Sequence, residues 1–472
     1  MAEIPAEIIA WIEDVTEGRF TGSRHVAAGG RDGFFVDVER GGEKLDLFLQ
    51  LGRQTAGFDQ STVFVEKEAE VFRALGAAGI PVPKVWGVHG PSKALLVERL
   101  KGRVWMHPPA TAEEQLSVAQ DFIRHLAAWH RLDPRTLNLS TFGPVLSARE
   151  HQRLNLEHMK AQAASEGEIE PMLRITLDFL ERKLPDYEGP TVLLQGDTGP
   201  GNLMFENGKV TGVVDWELAH FGDPMDDIAW VTWRATQHTF TNVAERLKEY
   251  EALSGHKLDD ARIHYYRVNA FARLACFGSG PWGGFGLPGM GVEKPRPAEV
   301  AAPTDADIDR AADGSAFVFT ILHRRMRLEA LMAVMGLPAG PPQEDLERAP
   351  PKDHGHMYEE MLARLQIAVK RTSDKMASNV MKGVARSLKY LKEADRNAAL
   401  YEQMELDDIG RLTGRPAPNV GEARQALYAA ALDRKVSDED YVLYHWRRFL
   451  RDEQLMREAA GSVYGRSWAP FR

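Results

Sequence analysis

The fold of this chain is decided by residues 192–233, VLLQGDTGPGNLMFENGKVTGVVDWELAHFGDPMDDIAWVTW. The apolar run Val192–Leu194 predicts a short buried strand, and a turn rich in Gly and Pro follows it. The next residues predict a β-hairpin, because two apolar runs flank the turn pair Asn207-Gly208. The second strand of this hairpin ends at a carboxylate, Asp215.

Three polar side chains stand out in this stretch: Asp197, Asn202 five residues later, and Asp215 thirteen residues after that. Phosphoryl transfer needs a carboxylate to orient the substrate hydroxyl, and an Asn and an Asp to hold Mg²⁺ against the phosphates of ATP. An Asx-rich surface turn between two strands is the alternative interpretation. The spacing favours the chemical one, because protein kinases place a catalytic Asp, an Asn and a metal-binding Asp in this order.

The wider stretch resembles the aminoglycoside phosphotransferase family, which consists of small-molecule kinases of the kinase-like superfamily. The matched positions are Gly196-Asp197, Asn202, Asp215-Trp216-Glu217, Gly222-Asp223-Pro224 and Asp227-Ile228-Ala229. The resemblance implies that Asp197 is the catalytic residue, that Asn202 and Asp215 bind Mg²⁺, and that ATP is the phosphoryl donor. Gln195 departs from the family, which has His there. That His supports the catalytic loop, and Gln has donor and acceptor groups for the same role.

The resemblance implies an α+β, bilobal protein-kinase-like fold, with a small β-rich N-terminal lobe and a larger helical C-terminal lobe. We expect these lobes at residues 1–100 and 101–335, followed by a proline-rich linker at 336–354. Residues 355–472 have helical periodicity throughout and predict an additional all-α domain. This domain resembles a short helical protein encoded beside certain hydroxyacyl-CoA kinases. A stabilising or homo-oligomerising role is the favoured interpretation.

The N-terminal lobe carries the expected ATP contacts. A turn at Gly29 and Gly30 lets backbone N–H groups approach the phosphates, although a plain hairpin has the same pattern. By resemblance, the third strand should carry an Arg or Lys that pairs with the phosphates, but Gln50 stands there. Arg53 and Lys44 are the two candidates for supplying the missing charge.

Further expectations follow from the resemblance. Glu68, on the next helix, matches the usual partner of the phosphate-pairing cation, although a solvated helix residue is the alternative. Glu98 and Leu100 fall at the hinge between the lobes, where backbone groups meet adenine. The segment GRVWMHPP that follows resembles kinase domains fused to acyl-CoA dehydrogenases. His130 is expected to be structural, and Asp223 to brace the catalytic loop or cap a helix.

Composition narrows the class of protein. The chain has 472 residues, of which 44% are hydrophobic and 27% charged, as is ordinary for globular domains. A net charge of −10 argues against nucleic acid as a main partner. The single cysteine, Cys276, excludes an internal disulfide and a cysteine-based zinc site, and suits a cytoplasmic location. The acidic N-terminus lacks the basic region of a signal peptide, and no run of about 18 apolar residues predicts a membrane span.

The favoured function is an ATP- and Mg²⁺-dependent kinase that phosphorylates a hydroxyl of a small molecule. Aminoglycosides are polycations and call for an acidic pocket. The candidate acceptor segment Gly278–Pro297 holds one acidic residue, Glu293, and Lys101, Arg103 and Arg234 flank other parts of the cleft. An apolar or anionic acceptor is therefore expected, such as a hydroxyacyl-CoA or an aromatic alcohol.

Alternatives stay open. Within the acceptor segment, the glycine-rich stretch Gly278–Gly291 is either a bland mobile loop or a lid over the acceptor. The departures at Gln50 and Gln195 fit a catalytically degenerate, nucleotide-binding regulator. An aminoglycoside- or macrolide-type antibiotic phosphotransferase is the third interpretation.

Overall fold

The computed structural model describes residues 3–28, 31–52, 62–105, 111–165, 167–238, 240–276, 314–338 and 346–472. Within these ranges a β-rich N-terminal part is followed by a mostly helical remainder and a further set of C-terminal helices, which confirms the α+β class. Gly29, Gly30, Arg53 and the segment Gly278–Pro297 lie outside the described residues. The expected domain boundaries stay predictions.

The N-terminal part is built on an antiparallel sheet with the strand order β1-β2-β3-β5-β4. The strands are β1 (Arg19–Ala28), β2 (Arg31–Arg40), β3 (Glu43–Leu51), β4 (Val85–His89) and β5 (Ala94–Glu98). Helix α1 (Ala6–Thr16) buries Ile8 and Ile12 against one face, and helix α2 (Thr62–Ala77) packs on the other. Successive strand residues point to opposite faces, so Leu96 packs with α1 and Leu95 with α2.

The middle of the chain surrounds two small sheets with helices. In one sheet β7 (Val192–Leu194) pairs with β10 (His220–Gly222). In the other, β8 (Leu203–Glu206) lies between β6 (Arg103–Val104) and β9 (Lys209–Val213). Its helices are α3 (Ala112–His130), α4 (Ala148–Ser165), α5 (Pro171–Arg182), α6 (Met225–Gln237), α7 (Val243–Ser254), α8 (Asp260–Cys276) and α9 (Ser315–Met335).

The expected hairpin is confirmed as β8 and β9. Its turn residues Asn207 and Gly208 have φ of 49° and 74°. Positive φ at both central positions is what the hairpin turn with matching twist requires, and Asn-Gly is the pair that adopts it most readily. The turn brings the strand that precedes Asp215 back beside the strand that follows Asn202.

The C-terminal helices are α10 (His356–Arg371), α11 (Lys375–Thr413), α12 (Val420–Leu432), α13 (Asp438–Leu455) and α14 (Arg457–Ala460). Apart from α10, which buries no residue, they share one continuous apolar core with the middle of the chain. Between α9 and α13, Arg325 is paired with Glu453 inside this core, and Arg324 Nη2 lies 2.8 Å from Asp452 Oδ2. Because a buried charge without its partner is costly, these pairs tie the C-terminal helices to α9.

One face of α11 is apolar and exposed. Met376, Val384 and Leu391 recur at helical spacing and so lie on one face, and they are 43%, 45% and 49% exposed. Homo-oligomerisation through these helices stays a prediction. No helix in the described ranges is long and apolar enough to cross a membrane.

Candidate active site

The loop between β7 and β8, residues 195–202, is shaped by glycines. Gly199 and Gly201 have φ of 141° and 111°, in the region that residues with a Cβ rarely adopt. Space also demands glycine, because a Cβ on Gly199 would lie 2.7 Å from Cβ of Arg234 on α6. The loop therefore packs directly against α6.

Asp197 lies at the centre of this loop and is held by two side chains. Arg234 donates from Nε to Oδ1 at 2.7 Å and from Nη2 to Oδ2. The amide nitrogen of Asn202 donates to Oδ2 and to the backbone carbonyl of Asp197, both at 2.8 Å. Two-point pairing with a guanidinium fixes the plane of a carboxylate as well as its position. Asp197 is thus oriented before any substrate binds.

Asp215 is brought beside this loop by the backbone and by Gln195. Val214 N donates to Asn202 O at 3.0 Å, which joins the two segments directly. The Gln195 amide donates to Val214 O at 2.6 Å and to Asp215 O at 3.4 Å. Asp215 itself has a φ of 64°, a left-handed conformation that Asp tolerates better than most residues. Gln195 therefore supports the loop through its donor group, as expected.

Asp227 of α6 also supports the loop, through its backbone. Its carboxylate accepts the backbone N–H groups of Gln195 and Gly196 at 3.0 and 2.9 Å. His130 Nε2 lies 3.1 Å from the same carboxylate, and His130 Nδ1 lies 2.7 Å from the Tyr250 hydroxyl. Burial opposes the charge on Asp227, but the hydrogen bonds from His130 and the backbone lower its pKa. His130 is structural, as predicted.

Asp223 acts at the start of α6 and not on the loop. Its Oδ1 accepts Met225 N at 2.9 Å and Arg262 Nη1 at 2.7 Å. Of the two roles expected for Asp223, the structure shows the helix cap, and the brace belongs to Asp227 four residues later. Burial raises the pKa of Asp223 to about 6, although Arg262 opposes this.

The side chains of Asn202 and Asp215 fit a magnesium ion. Because the Asn202 nitrogen is bonded to Asp197, its oxygen remains for a metal. Burial, with the negative charges of Glu217, Asp197 and Glu68, raises the pKa of Asp215 well above its ordinary value. In the described part of the chain, no three His, Cys, Asp or Glu side chains are grouped to hold a metal. Mg²⁺ commonly takes one or two carboxylates and completes its shell with phosphate and water, so two protein ligands suffice.

Gln50 lies where the resemblance places the phosphate-pairing residue. It is opposite Gly33 on β2, near the end of the sheet where Ala28 of β1 pairs with Arg31 of β2. Lys44 is six residues away on β3, which is about 20 Å along a strand. Its ammonium group lies 3.2 Å from Asp37 and 3.4 Å from Asp46. The geometry therefore disfavours Lys44 as the substitute cation.

Glu68 reaches the active site from α2. It is 1% exposed, and Oε1 accepts the backbone N–H of Trp216 at 3.2 Å. This bond links α2 to the residue that follows Asp215. The alternative of a solvated helix residue is wrong, because Glu68 is buried. Its pairing with a phosphate-binding cation stays a prediction.

Glu98 and Leu100, the residues expected at the hinge, lie at the end of β5 and in the connection from β5 to β6. Glu98 N donates to Lys84 O at 2.8 Å, so this amide is used within the lobe. Leu100 packs its side chain directly against Gly212 of β9, close to the strand end that carries Asp215. Contact of either residue with adenine stays a prediction.

Two of the three basic residues expected around the acceptor, Arg103 and Arg234, have other partners. Arg234 holds Asp197, and Arg103 lies 3.1 Å from Glu114 and over the Phe205 ring at 4.9 Å. Sequence reasoning placed Arg234 at the cleft but missed its role. A single cation in the apolar helix sequence IAWVTWRAT was the available signal, since a buried guanidinium needs a carboxylate.

Comparison with known proteins agrees with this geometry. The model of the phosphotransferase enzyme family, APH, matches residues 25–264. Acyl-CoA dehydrogenase family member 11 of Rattus norvegicus is 28% identical over 176 residues, covering 35% of this chain and 22% of that protein. Hygromycin-B 4-O-kinase of Escherichia coli is 25% identical over 195 residues, covering 38% of this chain and 57% of the kinase.

A similarity to solved structures accompanies these matches. The ternary complex of APH(2″)-IIa with streptomycin and ATP has a TM-score of 0.44 and 14% identity, covering 57% of this chain and 89% of that one. The match to the acyl-CoA dehydrogenase relative spans about a fifth of its length, 22%. The family model, in contrast, spans just over half of the 472 residues here. Because this family model spans more than half of it, the chain belongs to the phosphotransferase enzyme family.

Proposed function

We propose that this protein is an ATP-dependent small-molecule kinase, which transfers the γ-phosphoryl group to a hydroxyl of an apolar or anionic metabolite. One observation carries the proposal. Asp197 is held on both carboxylate oxygens by Arg234 and Asn202, beside the strand end at Asp215. A fixed carboxylate next to two oxygen ligands for magnesium is the arrangement that phosphoryl transfer needs.

The hydrogen bonds of Asp197 support a role in orienting the acceptor hydroxyl. A carboxylate has about four acceptor positions, two on each oxygen. Among the described residues, Arg234 and Asn202 occupy three of them, and the fourth position is on Oδ1. That position would accept the hydrogen bond of the acceptor hydroxyl, and later its proton. Asp197 thereby aims the hydroxyl oxygen, which is the main contribution a protein makes to this reaction.

Asn202 and Asp215 would hold Mg²⁺ through their side-chain oxygens. When bound, the ion neutralises charge on the ATP phosphates. The supporting observation is the crowding of negative charge at Asp215, where Glu217, Asp197 and Glu68 all act on it. Gln195 and Asp227 keep the two ligands in place through the loop backbone.

The acceptor class is supported by the residues near the cleft and by the relatives. The acceptor segment has little acidic character, and the sequence resembles hydroxyacyl-CoA kinases. The rat relative is named an acyl-CoA dehydrogenase family member. We therefore propose a hydroxyacyl-CoA or an aromatic alcohol. The similarity to a hygromycin-B kinase favours an antibiotic acceptor as the second candidate.

A panel assay tests the proposal. The protein is mixed with MgATP and a hydroxyacyl-CoA, an aromatic alcohol, hygromycin B or kanamycin, and ADP release is followed. We expect turnover of at least one of the first two and none of the antibiotics. Preferred phosphorylation of hygromycin B would establish the second candidate. Nucleotide binding without transfer to any acceptor would show a degenerate regulator.

A binding measurement tests the metal ligands separately. Calorimetry with ATP should show that Asp215→Ala abolishes the magnesium-dependent part of nucleotide binding, because a direct ligand is lost. The matched control is Asp186→Asn, whose side chain is 88% exposed. Equal magnesium dependence in the Asp215→Ala variant would remove Asp215 from the metal site.

A further inference from the structure

The segment Arg466–Arg472, called here the tail segment, lies across the C-terminal end of α6. Arg466 Nη1 donates to the carbonyls of Thr236 and Gln237 at 3.1 and 3.3 Å. Ala469 N donates to the Thr236 hydroxyl at 2.7 Å. The last four carbonyls of a helix have no N–H partner within it, and cations stabilise that end. Arg466 therefore caps the last turn of α6.

The tail segment is seated by a second arginine, Arg267 of α8. Its Nε donates to the Thr232 hydroxyl of α6 at 3.0 Å, and its Nη2 donates to Ala469 O at 3.1 Å. Its guanidinium carbon also lies 4.2 Å from the Trp468 ring centre and 4.7 Å from that of Phe471. Hydrogen bonds and cation–π contacts thus fix the tail segment to α6 and α8 together.

The opposite side of α6 faces the loop between β7 and β8, residues 195–202. Thr232 and Thr236 are four residues apart and lie on one face of the helix. Arg234 is two residues from each, which places it on the far side at 3.6 residues per turn. There it holds Asp197, and the helix approaches Gly199 closely. Helix α6 is therefore enclosed between the tail segment and the loop.

We propose that the tail segment positions Asp197 through α6, so that residues at the far end of the chain set the geometry of phosphoryl transfer. The proposal rests on the function proposed above for Asp197. Arg234 lies in the last turn of α6, where an uncapped helix frays. When Arg466 satisfies the terminal carbonyls, that turn stays helical and Arg234 stays on Asp197. When it does not, Asp197 loses its orientation while the nucleotide site in the N-terminal lobe is unaffected.

The variant Arg466→Ala tests this against Arg472→Ala. Arg472 belongs to the same segment, but its guanidinium contacts Asp260 and Leu258 O at the start of α8. Three quantities are measured on the full chain: ADP release from MgATP with water and with the best panel acceptor, the KM for ATP, and hydrogen exchange in residues 196–203. Arg466→Lys, which keeps the cation, and Asp197→Asn are measured beside them.

Arg466→Ala should lower kcat about tenfold, because one charged hydrogen-bonded cap is worth about a factor of ten in an equilibrium constant. It should leave the KM for ATP unchanged and speed exchange in residues 196–203. Arg466→Lys should restore part of kcat and part of the protection of residues 196–203 from exchange. Arg472→Ala should match the wild type.

Loss of heat stability alone, with kcat and loop exchange equal in Arg466→Ala and Arg472→Ala, would overturn the inference. If Asp197→Asn leaves ADP release unchanged, the proposed function fails. Faster loop exchange in Arg466→Ala would then still show that the tail segment controls the loop.

Discussion

Arg234 and Asp197 are 37 residues apart in the chain and meet through two hydrogen bonds at the centre of the site. Their side chains are 20% and 13% exposed, so little water competes with the pair. The Arg234 guanidinium fixes the carboxylate plane, and Asn202 holds one of its oxygens. The orientation of the carboxylate therefore depends on helix α6 as much as on its own loop.

Replacing Asp197 by Asn should lower kcat by about 10²–10⁴, the usual contribution of a positioned proton acceptor. The expected nucleotide contacts do not include the Asp197 side chain, so the KM for ATP should stay nearly unchanged. Steady-state ADP release with the best acceptor provides both numbers. Asp186→Asn, at an exposed site, serves as the control. Equal kcat in the two variants would contradict the role given to Asp197.

Replacing Gln195 by Leu should leave the partly buried Val214 carbonyl without its side-chain donor. A buried polar group left unsatisfied costs about 1–3 kcal/mol, and because this carbonyl is only partly buried the free energy of unfolding should fall by about 1 kcal/mol. Urea unfolding measures it. Gln195→His, the residue typical of the family, keeps a donor and should lose less. A Leu variant as stable as the His variant would show that this hydrogen bond contributes nothing.

Restoring a cation with Gln50→Lys should lower the KM for ATP, because Gln50 pairs with Gly33 at the end of the sheet where the phosphates are expected. Lys44→Ala is the matched control and should have no effect, since Lys44 pairs with Asp37 and Asp46 at the other end of β3. Arg53→Ala should raise the KM if Arg53 is the substitute. A raised KM in the Lys44 variant would refute the assignment drawn from the sheet register.

The acid side of the stability profile should depend on His323 of α9. Burial, followed by the positive charge of Arg234, lowers the pKa of His323 to about 3. The unfolded chain, with a pKa near 6.5, therefore binds the proton first, and stability falls as pH drops from about 6.5 towards 3.

His323→Phe keeps the ring against Phe319 and Trp233 but removes this titration. Its melting temperature should fall less than that of the wild type between pH 6.5 and 4. The exposed residue His158 offers the control, as His158→Gln. Parallel pH profiles for the wild type and the Phe variant would rule out His323 as a source of acid sensitivity.

The sequence alone determined the features that neighbouring residues specify. Asn207 and Gly208 form the predicted turn because their own backbone preferences require it. The spacing of Asp197, Asn202 and Asp215 indicated the chemistry, since a short loop and a hairpin bring them together with few degrees of freedom.

Only the tertiary structure decided which distant partners these residues have. The sequence placed Arg234 at the cleft, but the packing of α6 on Gly199 puts it on Asp197. Asp223 and Asp227 are both aspartates at the start of α6, and the sequence does not distinguish their roles. In the structure Asp223 caps the helix, whereas Asp227 accepts hydrogen bonds from the loop backbone. Such partners depend on how packed elements are oriented, and no local preference encodes that orientation. For the same reason the sequence did not predict the contact of Arg466 with α6, which lies more than 200 residues earlier in the chain.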